Sequence, residues 1–261
     1  MKSIIICFLI VTLFGCNSTN ETPDMPGTYL MISQTLTDST NKETKLTSLK
    51  QLKIYADAFY MYSQVNPQDS VSAFGVGSYT TDKGTVNENV IYSARDTSVG
   101  TPAVYELDIK KTQDGYSQFI PEIIVQGQKN KLTEEYQTVG NNSVKTPLDG
   151  VWKEVRSYVV KGNDSILNNR TQYKAYFAGY FMFGQSVKDS SLSSRTGIGF
   201  GTFSWESDSL IKETDLNSSY AIIAGHTFDV AIKMDGTDKY MQVIQNADGT
   251  TGVEYYERLK K

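Results

Sequence analysis

Four glutamates are the first residues to weigh for chemistry, because they recur at matching places in the two halves of the chain: Glu88 with Glu213, and Glu134 with Glu254. Paired carboxylates are what glycoside hydrolysis requires, one as acid and one as base or nucleophile. Nothing in the spacing brings two of them face to face, however, and a duplicated structural residue persists as readily as a catalytic one. A structural role is therefore the expectation. His226 is the single histidine. It lacks a Ser or Cys elbow to activate, and Ala103 stands at the matching place in the first half, so a turn or surface position is expected. The glycine-rich runs FGVGSY (74–79) and GIGFGTF (197–203) resemble a nucleotide loop only superficially. A dinucleotide fingerprint needs a third glycine and a following helix. Thr80 and Thr202 occupy that third place, and a strand glycine at a barrel bend is the expectation instead.

Composition narrows the classes further. Lys plus Arg number 25 against 29 Asp plus Glu, a formal charge of -4, which predicts neither a nucleic-acid groove nor a basic membrane face. Seventeen Tyr and 11 Phe against 2 Trp and 6 Pro favour pleated sheet. The first residues read as a processing signal: Lys2, an apolar run from Ile4 to Leu13, then Leu13-Phe14-Gly15-Cys16. This resembles the lipobox of bacterial lipoproteins, with Phe14 bulkier than usual. The resemblance implies a signal peptide over 1–16, acyl chains on Cys16 that anchor the chain in a bilayer, and a polar tether over 17–24. Asn17 after that cysteine fits sorting to the outer membrane of a Gram-negative cell envelope. With Cys7 removed and Cys16 acylated, no thiol is left for a disulfide, a metal or a nucleophile. Neither a metal nor a cofactor is expected.

The organisation of the chain comes from duplication. Gln51, Lys53, Tyr55, Met61 and Gln64 recur as Gln172, Lys174, Tyr176, Met182 and Gln185. Tyr116 and Gln118 recur as Tyr240 and Gln242, and TEEYQTV (133–139) parallels VEYYERL (253–259). The matches are collinear, so two units are expected, 25–139 and 148–261, joined by the polar linker GNNSVKTP (140–147). In the second unit eight alternating or aromatic runs start near 151, 171, 180, 195, 210, 226, 240 and 253. Asp-Gly pairs at 235–236 and 248–249 mark tight turns between successive runs. Eight short strands joined by hairpins predict an all-β fold: two tandem eight-stranded antiparallel up-and-down barrels, with a half-open sandwich as the alternative. The segments 37–48 and 161–170 are too long for hairpins and are expected to hang over a barrel mouth.

Alternation along the strands puts Gln172, Lys174 and Tyr176 on one face and Tyr173, Ala175 and Phe177 on the other. The first unit splits the same way, Gln51, Lys53 and Tyr55 against Leu52, Ile54 and Ala56. On the next strand Tyr60, Tyr62 and Gln64 share a face, as do Phe181, Phe183 and Gln185. Such aromatic pairs beside an amide either line a ligand cup or fill the barrel themselves.

Gly150-Val151-Trp152 at the first strand, the eight-strand meander, and the Arg in EYYERL together resemble the lipocalin-like (calycin-type) barrels of Gram-negative envelope lipoproteins. The resemblance implies that Trp152 closes the barrel floor and that Arg258 packs across its indole. In the first unit Tyr29 replaces the tryptophan and Thr138 stands where Arg258 would be. It also implies a non-enzymatic protein holding a small hydrophobic or amphipathic molecule. The alternative is a filled barrel whose outer surface binds another envelope protein, a polysaccharide or a host surface.

Overall fold

The structure is a computed structural model that describes residues 24–46, 48–68, 71–95, 104–125, 127–188, 194–246 and 248–261. The expected signal peptide (1–16), the acylated Cys16, tether residues 17–23 and Ala103 lie outside the described residues.

Each unit is a single antiparallel sheet. In the first, the strands are β1 (Gly27–Asp38), β2 (Glu43–Leu46), β3 (Lys50–Ala56), β4 (Phe59–Val65), β5 (Ser72–Asp82), β6 (Thr85–Arg95), β7 (Val104–Lys111), β8 (Gly115–Val125) and β9 (Gln128–Val139). In the second they are β10 (Gly150–Lys161), β11 (Asp164–Leu167), β12 (Thr171–Phe177), β13 (Tyr180–Lys188), β14 (Ser194–Ser207), β15 (Leu210–Ser218), β16 (Thr227–Asp235), β17 (Lys239–Gln245) and β18 (Thr251–Arg258). From β3 to β9 and from β12 to β18 neighbours follow chain order, β2 and β11 lie beside β1 and β10, and pairing of β1 with β9 and of β10 with β18 closes each sheet into a barrel. Closure satisfies the backbone groups that an open sheet would leave bare at its edges.

The two segments expected to hang as loops do not. Asn41 takes φ 62° and Gly162 takes φ 60°, which lets the chain turn back at once. Then β2 pairs with Gln34–Thr37 and β11 with Tyr158–Lys161. After a short break the same side of β1 and β10 is taken up by β3 and β12. The second wall of each barrel is thus one strand interrupted between β2 and β3 and between β11 and β12. Opposite each break the neighbouring strand bulges, between Met31 and Ser33 and between Glu154 and Arg156.

The glycine-rich runs form β5 and β14, and their glycines make room for rings. A Cβ on Gly75 would meet the Tyr62 ring at 2.5 Å, and one on Gly199 would meet Phe183 at 2.3 Å. Gly77 and Gly201 sit at matching bulges, where a Cβ would strike the carbonyl of Asn89 or of Thr214. Glycine here serves barrel curvature and cross-strand packing, not phosphate binding.

The hairpins QLKIYADAFYMYSQ and QYKAYFAGYFMFGQ turn at Asp57 (φ 52°) and at Ala178-Gly179 (φ 56° and 82°). Both of their faces are buried. Gln51, Lys53 and Tyr55 and their counterparts point into the barrels, while Leu52, Ile54, Met61, Phe74 and Val76 point outward and are also buried. They meet Tyr173, Ala175, Phe177, Met182 and Phe200 of the second barrel in one continuous cluster. Ser63 and Ser72 donate across this seam to the carbonyls of Phe183 (3.1 Å) and Thr196 (2.5 Å), and Thr28 donates to that of Phe177 (3.0 Å). The apolar faces are therefore a barrel-to-barrel interface.

This packing makes the barrels stabilise one another. A lysine at Met182 or at Met61 buries an unpaired charge in the seam at a cost of several kcal/mol without touching either interior. We expect Met182→Lys and Met61→Lys each to split one cooperative calorimetric transition into two. An unaltered single transition in both variants would show that the barrels do not depend on the seam.

Candidate functional site

The floors of the two barrels are built alike. The Trp152 indole is fully buried, donates from Nε1 to the carbonyl of Leu148 (2.7 Å), and meets Tyr240 edge-on at 4.8 Å. Arg258 lies opposite Trp152 in the strand register, with its guanidinium 4.1 Å from the ring centroid. It also donates to the carbonyls of Asp149, Pro147 (2.8 Å) and Thr237 (3.0 Å), tying floor to linker. Gly150 takes φ 133°, and a Cβ there would meet Arg258 at 2.3 Å. In the first barrel Tyr29 faces Thr138, donates to the carbonyl of Met25 (3.1 Å) and meets Tyr116 edge-on at 4.8 Å. The geometry is kept and the cation over the ring is lost.

Above the floors, the duplicated polar residues converge inside each barrel. Lys53 pairs with Glu88 (2.6 Å) and donates to Gln118 (3.3 Å), which donates to Glu134 (2.5 Å). Tyr136 (2.8 Å) and Gln34 (2.5 Å) also donate to Glu134, Tyr55 donates to Glu88, and Gln51 donates to Tyr136. The second barrel repeats the plan. Lys174 pairs with Glu213 (2.8 Å) and donates to Gln242 (3.2 Å), and Gln242 donates to Glu254 (2.6 Å). Tyr176 donates to Glu213 (2.6 Å), Tyr256 donates to Glu254 (2.6 Å), and Gln172 donates to Tyr256. The four recurring glutamates are thus charge partners and hydrogen-bond acceptors for buried donors.

The residues expected to line a cup surround these lysines. Tyr60 and Phe181 are fully buried, with Lys53 5.7 Å from the Tyr60 centroid and Lys174 5.5 Å from that of Phe181. Tyr62, Gln64, Phe183 and Gln185 are half-buried toward the mouth, with Tyr62 and Phe183 lying on their strand glycines. A paired ammonium and a set of hydrogen-bonded amides occupy the middle of each interior, where an apolar guest would have to sit.

Toward the mouth the second barrel has features that the first lacks. Arg170, from the break between β11 and β12, reaches inward and engages Glu154 in bidentate fashion (2.6 and 3.2 Å). It also donates to Glu254 (2.6 Å) and Gln185 (2.9 Å), and Gln185 donates to Tyr220 (2.5 Å). Leu49 holds the matching place before β3 and packs on the apolar cluster. The consequence is electrostatic. Burial pushes Glu134 up, and Lys53 and its hydrogen bonds only partly offset that. Burial also pushes Glu254 up, but Arg170, Lys174 and the Tyr256 hydrogen bond carry it below the ordinary carboxylate range. Asp215 has no such help. Its Oδ1 is buried without a partner, and burial together with the neighbouring Glu213 pushes it up to about 7 despite Lys174. His226 is exposed at the end of the 219–226 loop, 3.3 Å from the Ala224 carbonyl. Among the described residues no group of three His, Cys, Asp or Glu is placed to hold a metal ion.

Arg170, Glu154, Asp215 and Tyr220 escape sequence reasoning because the first unit has no copies of them. The one available signal is an arginine standing directly before a barrel strand, at the end of the segment KGNDSILNNR.

Two closed eight-stranded antiparallel meanders in tandem, each with an extra strand, define the fold as a pair of lipocalin-like barrels. No family model matches the chain, and no curated protein sequence matches it. Among solved structures, it is similar to isotype 1 transferrin binding protein B (TbpB) from serogroup B Neisseria meningitidis, at 8% identity and a TM-score of 0.23. The match covers 85% of this chain and 60% of that one, so the chain spans less than two thirds of its length. The barrel architecture rests on the strand pairing itself.

Two outcomes test the mouth of the second barrel. Arg170→Leu, which installs the side chain of the first barrel, strands Glu154 without its cation, leaves Glu254 with Lys174 alone, and should cost about 3–5 kcal/mol in denaturant unfolding. A loss under about 1 kcal/mol would mean that solvent reaches both carboxylates. Asp215 holds its proton to about pH 7 in the native state, whereas an unfolded aspartate releases it near 4. It therefore contributes stability at pH below ~4 that is lost as pH rises through about 7. Asp215→Asn should melt above the parent at pH 8 and lose that advantage progressively as pH falls from about 7 to about 4; a pH-independent difference would contradict the assignment.

Proposed function

We propose that this chain is a non-enzymatic, lipid-anchored binding protein of a Gram-negative cell envelope, and that it works through its surface and not through a cavity inside its barrels. The observation that carries this reading is the filling of both interiors by duplicated Lys–Glu–Gln–Tyr networks. Evacuating such a network to admit a guest would strand a buried lysine and two glutamates, a cost that an apolar ligand cannot offset. The partner is then another envelope protein, a polysaccharide or a host surface. Anchoring through Cys16, with the outer membrane as its address, rests on the lipobox and on Asn17.

The reading separates cleanly from a small-ligand carrier. Protein lacking residues 1–16, purified gently from its own host, should give a native mass spectrum without a reproducible small-molecule adduct. A recurrent apolar mass that disappears in Phe181→Arg would overturn the proposal and restore the cup. In the full-length chain, Cys16→Ser should abolish incorporation of radiolabelled palmitate.

A further inference from the structure

On the outer wall of the second barrel, β11 is an edge. Among the described residues no strand pairs with its far side. Asn168 N–H donates to the Ser157 carbonyl (3.0 Å), and alternation from that bond places Ile166 and Asp164 toward β10. The N–H and C=O groups of Ser165 and Leu167 then face away from the sheet. The side chains of Ile166 and Leu167 are 65% and 62% exposed. In the first barrel the matching strand β2 reads Glu-Thr-Lys-Leu, and Glu43 and Lys45 blunt its edge with charge. In β11, Asp164 holds the place of Glu43 and Leu167 that of Leu46, but Ile166 replaces Lys45, so the charge in the half of the edge nearest the break is lost.

A cleft of about 390 Å³ adjoins this edge, at the break in the wall, lined by Glu154, Arg156, Tyr158, Leu167, Asn168 and Arg170. Arg170 is fully engaged with Glu154, Glu254 and Gln185 and forms the cleft floor. Arg156 is exposed, lies 4.7 Å over the Tyr158 ring, and has no ion-pair partner among the described residues. Ser33 holds the matching place in the first barrel. An open strand edge beside a side-chain pocket is the arrangement that strand addition uses: main-chain bonds supply affinity, and pockets at alternate positions supply specificity.

We infer that β11 accepts an extended segment of a partner protein as an added strand, with an apolar side chain against Leu167 and a carboxylate on Arg156. This rests on the surface-binding reading above and gives it a place and a chemistry. An acidic segment is chosen because the cleft offers an unpaired cation on a chain that is otherwise net acidic.

The test uses ¹⁵N-labelled protein lacking residues 1–16, titrated with octapeptides of a Val-Thr-Glu-Thr repeat, which put valine and glutamate on one face of the added strand, and with the same peptides carrying lysine for glutamate. The glutamate set should shift the amides of Ser165, Leu167 and residues 155–158, and the lysine set should not. Arg156→Glu should weaken the glutamate peptides about tenfold. Ser165→Pro removes an outward N–H that the fold does not use, so it should abolish binding while the remaining spectrum stays in place. No shift with either set, or equal shifts with both, would overturn the strand site. Concentration-dependent broadening of the same amides without peptide would overturn it in favour of pairing between copies of this chain. Neither result touches the surface-binding reading, which only an apolar adduct in the mass spectrum would overturn.

Discussion

A lysine sealed inside each barrel sets the terms for everything around it. An ammonium taken out of water costs several kcal/mol unless its charge and its donors are met, so Lys53 and Lys174 each require a glutamate and an amide at fixed distance. Those partners come from far along the chain: β6 and β8 for Lys53, β15 and β17 for Lys174. They meet the lysine only when the meander has closed. Closure and charge pairing are thus one requirement, and the barrel that satisfies it carries a buried ion pair and its hydrogen-bonded amides at its centre.

The same choice decides how the barrels meet. Because a strand alternates strictly, putting Gln, Lys and Tyr inside forces Leu52, Ile54, Tyr173 and Ala175 outside. An apolar wall facing water is unstable and prone to association, so each barrel needs a cover, and the tandem copy supplies it. Duplication here serves more than repetition of a binding unit. A single barrel of this plan would expose its own interface.

Much of this was legible from the residues, and the limits were physical. The eight strands, the hairpins and the collinear repeat followed from period-2 patterning and Asp-Gly turns, and the strand glycines from the absence of a following helix. The polar and apolar faces were separable, but alternation alone does not say which face looks inward. In a one-barrel protein the apolar face would; here Leu52 and Ala175 point outward because a second barrel covers them. The segments 37–48 and 161–170 read as loops because β2 and β11 are only four residues long, and their tight turns rest on positive φ at Asn41 and Gly162. Asn in that region gives a weaker signal than Gly. Repetition pointed straight to Glu88, Glu213, Glu134 and Glu254, yet it concealed Arg170, which has Leu49 as its counterpart.

That contrast at one position separates the roles of the two barrels. With Leu49, the break in the first wall is closed by hydrocarbon, the direct donors to Glu134 are neutral, and burial raises it despite the nearby Lys53. With Arg170, the second break is closed by a guanidinium, Glu254 is held ionised, and a second glutamate, Glu154, is drawn to the cleft. A charged plug keeps the break polar and shaped, whereas a leucine only seals it. The features that differ between the repeats, Arg156 for Ser33, Ile166 for Lys45 in the edge strand, and Tyr220 at the mouth, all fall on the second barrel. Those that are shared lie inside or in the seam. Stability thus comes from what the two copies hold in common, and the proposed strand site lies on the surface where the second copy has departed from the first.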